Sequence, residues 1–127
     1  MVANELLEEY TDAKITVIDT LNVSLGESIM VIYAESLKAK DVAYEDVAAS
    51  LEEFKHHINV QFTVDDLFHL QRGGRLSLAE AMLGSALKIK PIISVDQEGK
   101  LYVENKVRGN KKGEEYMISK ISDTMDE

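Results

Sequence analysis

The residues best equipped for chemistry in this chain cluster in Arg72-Gly73-Gly74-Arg75-Leu76-Ser77. Two adjacent glycines let successive backbone amides turn into one concavity, because glycine enters left-handed conformations without steric cost. An arginine stands beside them and a helix start follows, so a carboxylate or phosphate would meet amides, a forked guanidinium and a positive helix end. The alternative is plain punctuation, with the glycines joining two helices and the arginines solvated. The spacing is neither that of a Walker loop nor that of a dinucleotide fingerprint.

Other chemistry-bearing residues are less organised. His56-His57 and His69 invite a metal reading, but adjacent helical histidines point about 100° apart and no third ligand lies at a regular offset. No metal is therefore expected. Asp65 or Asp66 reads as the cap of a helix beginning at Leu67 rather than as an acid/base partner of His69. Asp19-Thr20 ends an apolar run where α/β proteins often keep functional groups, with capping or turn formation as the competing role. Zero cysteines exclude a disulfide framework, a thiolate zinc site and a cysteine nucleophile. No nucleophile and base pair stands out, and no cofactor is expected.

The elements that must position these residues follow from periodicity. Residues 3–10 read as helix, and Lys14 to Thr20 (KITVIDT) as a buried parallel strand. After turn residues Asn22, Ser24 and Gly26, the spacing of Ile29, Ile32, Tyr33 and Leu37 predicts a helix to about Lys40. Val47, Leu51, Phe54 and Ile58 form the stripe of the next helix. From Asn59 the pattern changes to a strand-like NVQFTV, a short helix DDLFHLQR closed by Gly73-Gly74, and a helix from the capping box Ser77-Leu78-Ala79-Glu80 to about Leu87. Leu78, Met82 and Leu83 read as core, or as the wall of a lipid pocket. Pro91 opens IISV, DQEG turns the chain, and KLYVENKVR returns as a β-hairpin. Asn110 is expected to cap a last helix whose face is Met117, Ile121 and Met125. The fold class is α/β, with a change of architecture near residues 58–60.

Composition bounds the function. The chain has 127 residues and a formal charge of −9, and its 45% hydrophobic content is that of a folding chain. No run of about 18 apolar residues exists, so no membrane span is expected. The first ten residues lack the pattern of a secretion signal, and cytoplasm is the expected location. Charge is uneven: residues 1–58 hold 12 acids and 4 bases, whereas residues 88–112 hold 3 acids and 7 bases. The acidic majority disfavours nucleic acid as a partner. The basic island (Lys88, Lys90, Lys100, Lys106, Arg108, Lys111 and Lys112) is either a solvated hairpin or a local docking site for an anionic partner.

Taken together, VIDT, Ser24-Leu25-Gly26, FTVDDLFHLQRGGRLS, LGSALKIKPI, a hairpin and KVRGNKK resemble the DegV family of bacterial fatty-acid-binding proteins. The resemblance implies an α/β/α domain followed by an α+β domain, with residues 1–58 the C-terminal part of the first and residues 59–127 the N-terminal part of the second. It implies a long-chain fatty acid as ligand, no catalysis by this chain, and a separate fatty-acid kinase as partner. In the GGR match, Arg75 corresponds to an arginine near the ligand head group, with Gly73 and Gly74 beside it. In KVRG, Arg108 corresponds to a kinase-docking position, and Lys111 and Lys112 adjoin it. The hydroxyl residues that hold the carboxylate in the family would precede residue 1, and a histidine would follow residue 127. A small phosphate-binding or anion-binding enzyme domain using the RGGR loop is the competing reading. An isolated fragment is expected to self-associate through its uncovered faces.

Overall fold

The computed structural model describes residues 2–83 and 89–125. The chain divides into two compact units, residues 1–58 and residues 59–127.

The first unit is helical. Helix α1 (Val2–Glu9) precedes a connection into α2 (Leu25–Lys38) and α3 (Tyr44–Phe54), which ends in a 3-10 turn at Lys55–His57. The two longer helices meet through Tyr33 and Phe54, whose rings lie 4.2 Å apart. The side of α2 turned inward carries Met30, Tyr33 and Leu37; Ile29 and Ile32, expected on that stripe, are exposed. Val47, Leu51, Phe54 and Ile58 are half-buried as their spacing requires.

Lys14 to Thr20 forms no β-ladder among the described residues, contrary to its β-branched composition. A strand exists only by pairing, and no neighbour in this unit offers an edge. Side chains hold the segment instead: Lys14 Nζ lies 2.5 Å from Glu45 Oε1, and the Tyr44 hydroxyl donates to Thr16 Oγ1 at 2.8 Å. Asp19 and Thr20 do turn work, accepting from the amides of Leu21 and Asn22.

The second unit is built on an antiparallel sheet of order β1-β2-β3, from β1 (Gln61–Thr63), β2 (Ile89–Val95) and β3 (Leu101–Arg108). Asp96 closes the hairpin by accepting from the amides of Glu98 and Lys100, both at 2.9 Å, and Gly99 takes the positive φ of 76° that the turn needs. Helices α4 (Leu67–Arg72) and α5 (Leu78–Leu83) cover one side, where Leu67, Leu76, Ala81 and Ile93 form the core with Phe62, Leu101 and Val103. Helix α6 (Asn110–Thr124) covers the other side, where Gly113 lets it come within contact of Ile92 and Val107.

The ladder between β2 and β3 skips once. Ile92 pairs with Asn105 and Ile93 with Val103, so Glu104 is the extra residue of a β-bulge. Glu104 and Asn105 consequently both turn toward α6, where each meets Tyr116.

Two details of α6 and one of α5 differ from expectation. Gly109, at φ 85°, occupies the cap position in place of Asn110, and no side chain caps the helix. The inward residues are Gly113, Tyr116, Met117 and Lys120, while Ile121 and Met125 are exposed, because polar contacts with the sheet set the helix rotation. Leu78 and Met82, read as core, are also exposed, since Ala81 takes the buried side of α5. Residues 84–88, including the expected end of this helix and Lys88, and the Leu83 side chain lie outside the described residues.

Candidate functional site

The α4–α5 connection shapes the candidate site. Asp66 starts α4, its carboxylate accepting from the Phe68 amide at 2.9 Å. The helix then closes in a Schellman motif: Gly74 N–H donates to Gln71 O and Arg75 N–H to Leu70 O, both at 2.9 Å, with Gly74 at φ 74°. Gly73 N–H donates to His69 O at 3.2 Å. The amides expected to cradle an anion are therefore spent on the helix end, and what the two glycines supply is the turn. Gly73 also leaves room for Arg75, whose Nη1 would come 3.4 Å from a side-chain carbon added there.

The start of α5 is occupied as well. Ser77 N–H donates to Glu80 Oε2 at 2.9 Å and Glu80 N–H to Ser77 Oγ at 3.2 Å, the reciprocal pair of a capping box. The Ser77 hydroxyl, donating to Glu80 Oε2 at 2.6 Å, and then the Ser77 amide hold the Glu80 carboxyl below its usual range. A carboxylate already sits at this helix end, so an incoming anion has the guanidinium as its main attraction. Arg75 is exposed and folds back to donate one N–H to the Gly73 carbonyl, leaving the rest of its fork for a ligand. Arg72 pairs with Asp66 at 3.5 Å. Beyond Arg75, Leu78 and Met82 stand 56% and 61% exposed, one turn apart on α5. Arg75, Leu78 and Met82 are thus all exposed along one short stretch of chain. The loop offers no amide cradle for phosphate, which leaves the competing enzyme reading without its basis.

The basic residues fall on two elements. Arg108 ends β3 opposite Ile89, while Lys111 and Lys112 are in the first turn of α6, and all three are exposed. Lys111 reaches Glu115 only at 3.9 Å. That turn holds no acid, so two lysines stand where the helix macrodipole disfavours positive charge. Lys90, further back in the island, pairs with Asp65, whose carboxyl is held low by that ammonium. No group of three or more metal-ligating side chains occurs among the described residues.

A polar cluster escaped the sequence reading. Glu104 Oε2 accepts from Gln61 Nε2 at 2.6 Å and Glu104 Oε1 from the Tyr116 hydroxyl at 3.0 Å, with Lys120 Nζ at 3.4 Å. Burial pushes the Glu104 carboxyl up, but the donors, Tyr116 first, outweigh it and hold the group low. The only signal in the sequence was the broken alternation of Val103-Glu104-Asn105-Lys106-Val107.

A family model described as "Uncharacterised protein, DegV family" matches residues 1–127. The chain belongs to the DegV family. It is 38% identical over 127 residues to the DegV domain-containing protein YteA of Lactococcus lactis, covering 99% of this chain and 44% of that protein. Among solved structures, a DegV family protein from Thermus thermophilus described by its fatty acid binding is 32% identical, with a TM-score of 0.79. One from Ruminococcus gnavus, refined with vaccenic acid, is 26% identical with a TM-score of 0.85. Each alignment covers 97% of this chain and 44% of the other. The chain thus spans less than half the length of these DegV relatives.

Proposed function

We propose that this DegV chain is part of a protein that binds a long-chain fatty acid and performs no chemistry on it. Residues 1–58 form the end of the first DegV domain, and residues 59–127 open the second. Arg75, set by the Gly73-Gly74 turn, holds the carboxylate, and Leu78 and Met82 line the start of the acyl chain's path. The observation that carries this reading is an exposed guanidinium followed within the same stretch of chain by the exposed apolar side chains of α5. Such side chains are costly in water, about 25 cal/mol per Å² left uncovered, and an amphipathic anion covers both features at once. The fatty acids described for the Thermus and Ruminococcus relatives support it.

In the same reading the bound acid is presented in the cytoplasm to a fatty-acid kinase that docks on Arg108, Lys111 and Lys112. The two lysines in the first turn of α6 favour docking over simple solvation, because they oppose the helix dipole rather than complement it.

Native mass spectrometry of the intact protein tests the ligand. A co-purifying mass equal to a long-chain fatty acid, displaced by added acid of another length, is the expected result. A protein that arrives empty and stays empty on titration with fatty acid overturns the reading.

A further inference from the structure

We infer that Glu104 is the latch that fixes α6 to the sheet, so that neutralising this one carboxylate frees the helix while the hairpin beneath stays paired. The inward side of α6 is poor in apolar surface. Gly113 is its one buried residue, Met117 is half-buried, and Ile118, Ile121 and Met125 point away at 64%, 57% and 69% exposure. Ile92, fully buried, and Val107 meet the helix at Gly113, but α6 itself contributes little apolar surface, the usual means of docking a helix.

Polar contacts take its place: Asn105 meets Tyr116, and Glu104 holds both Tyr116 and Lys120. The bulge brings Glu104 and Asn105 in succession to the α6 side, which an even ladder would not do. The two oxygens of Glu104 then tie three elements: Gln61 from β1, Tyr116 from the second turn of α6 and Lys120 from the third. Tyr116 and Lys120 are four residues apart and so share one helix face. With Gly113 they form the whole line along which the helix touches the sheet, apart from Met117.

The charged and titratable groups around Glu104 define the sign of the effect. Lys120 and Tyr116 face it from α6, Ser94 and Gln61 are its neutral neighbours on the sheet, and Asp96 and Tyr102 line the same cleft. Lys120 is the positive charge among them, and Glu104 and Asp96 are the negative ones. Protonating Glu104 removes the negative charge that strengthens its bonds from Tyr116 and Lys120 and leaves Lys120 without its counter-charge. Because the carboxyl is held low, the latch is closed at neutral pH and opens as pH falls through that lowered value.

The experiment is amide hydrogen exchange on the 127-residue chain, with Glu104→Gln beside the parent. Protection over residues 110–124 should fall at least about tenfold in Glu104→Gln, the factor that one hydrogen bond to a charged group is worth, with β2 and β3 unchanged. Tyr116, whose ionisation is raised first by burial and then by its bond to Glu104, should titrate lower in the same variant, because the freed helix loses both. Unchanged protection of residues 110–124 overturns the proposal, as does an equal loss across residues 59–125. If Glu104→Gln does not fold, acid titration of the parent decides. Protection of α6 should be lost at a higher pH than that of the hairpin, and simultaneous loss overturns the latch.

Discussion

Ser77 and Glu80 cap each other across the first turn of α5, the serine hydroxyl accepting the Glu80 amide at 3.2 Å and the Glu80 carboxylate accepting the Ser77 amide at 2.9 Å. Ser77→Ala removes half of this exchange and should cost about 0.5–2 kcal/mol in denaturant unfolding of the second unit. The pH dependence has a fixed sign. The folded carboxyl of Glu80 lies below the ordinary 4.5, so its contribution is complete above that value and fades as pH falls through the lowered one. In Glu80→Gln this part of the acid dependence should vanish, and an unchanged acid unfolding profile would count against the box.

Arg75→Ala, made in the intact protein, should weaken fatty-acid binding by about 1.5–3 kcal/mol, the range for hydrogen bonds to a charged group. Since the Arg75 side chain bonds, among the described residues, to the neighbouring Gly73 carbonyl, thermal stability should stay close to the parent's. A lipid titration with parental affinity removes Arg75 from the head-group site.

Arg108→Glu should leave fatty-acid affinity intact and slow phosphorylation of the bound acid by the proposed kinase partner, with the difference shrinking as salt rises. Lys112→Glu should act in the same direction, and it places an acid where the α6 dipole favours one, so the helix should become no less stable. Parental phosphorylation rates in both variants would end the docking assignment.

The two units should differ in protection when the 127 residues are made alone. Among the described residues, 1–58 bury only Gly26 and Met30, and Val17, Val23, Leu25, Val31 and Ile32 are all more than half exposed. We expect faster amide exchange there than in β2 and β3, and self-association through those side chains. A monodisperse monomer in light scattering, with uniform protection over residues 1–58, is the contrary result.

Local chemistry was legible in the sequence and distant pairing was not. The Asp66 cap and the Ser77–Glu80 box were readable because their partners lie two and three residues away. The hairpin was readable for the same reason, since its turn is written in Asp96 and Gly99. Lys14 to Thr20 misled because β-branched composition describes a strand's preference and says nothing of whether a partner is at hand. On α6, Met117, Ile121 and Met125 formed a credible apolar line, yet the helix turned its tyrosine and lysine inward to a carboxylate more than ten residues upstream. At Arg72 to Ser77 the residue types were read correctly as a turn, while their amides proved already engaged.

The ladder of β2 and β3 would be complete without Glu104: removing that residue leaves Val103 opposite Ile93 and Asn105 opposite Ile92, with every later pair and every later side chain facing as before. A one-codon deletion here is therefore silent for the hairpin and audible only in the helix above it. The attachment of α6 is in this sense separable from the strands that carry it.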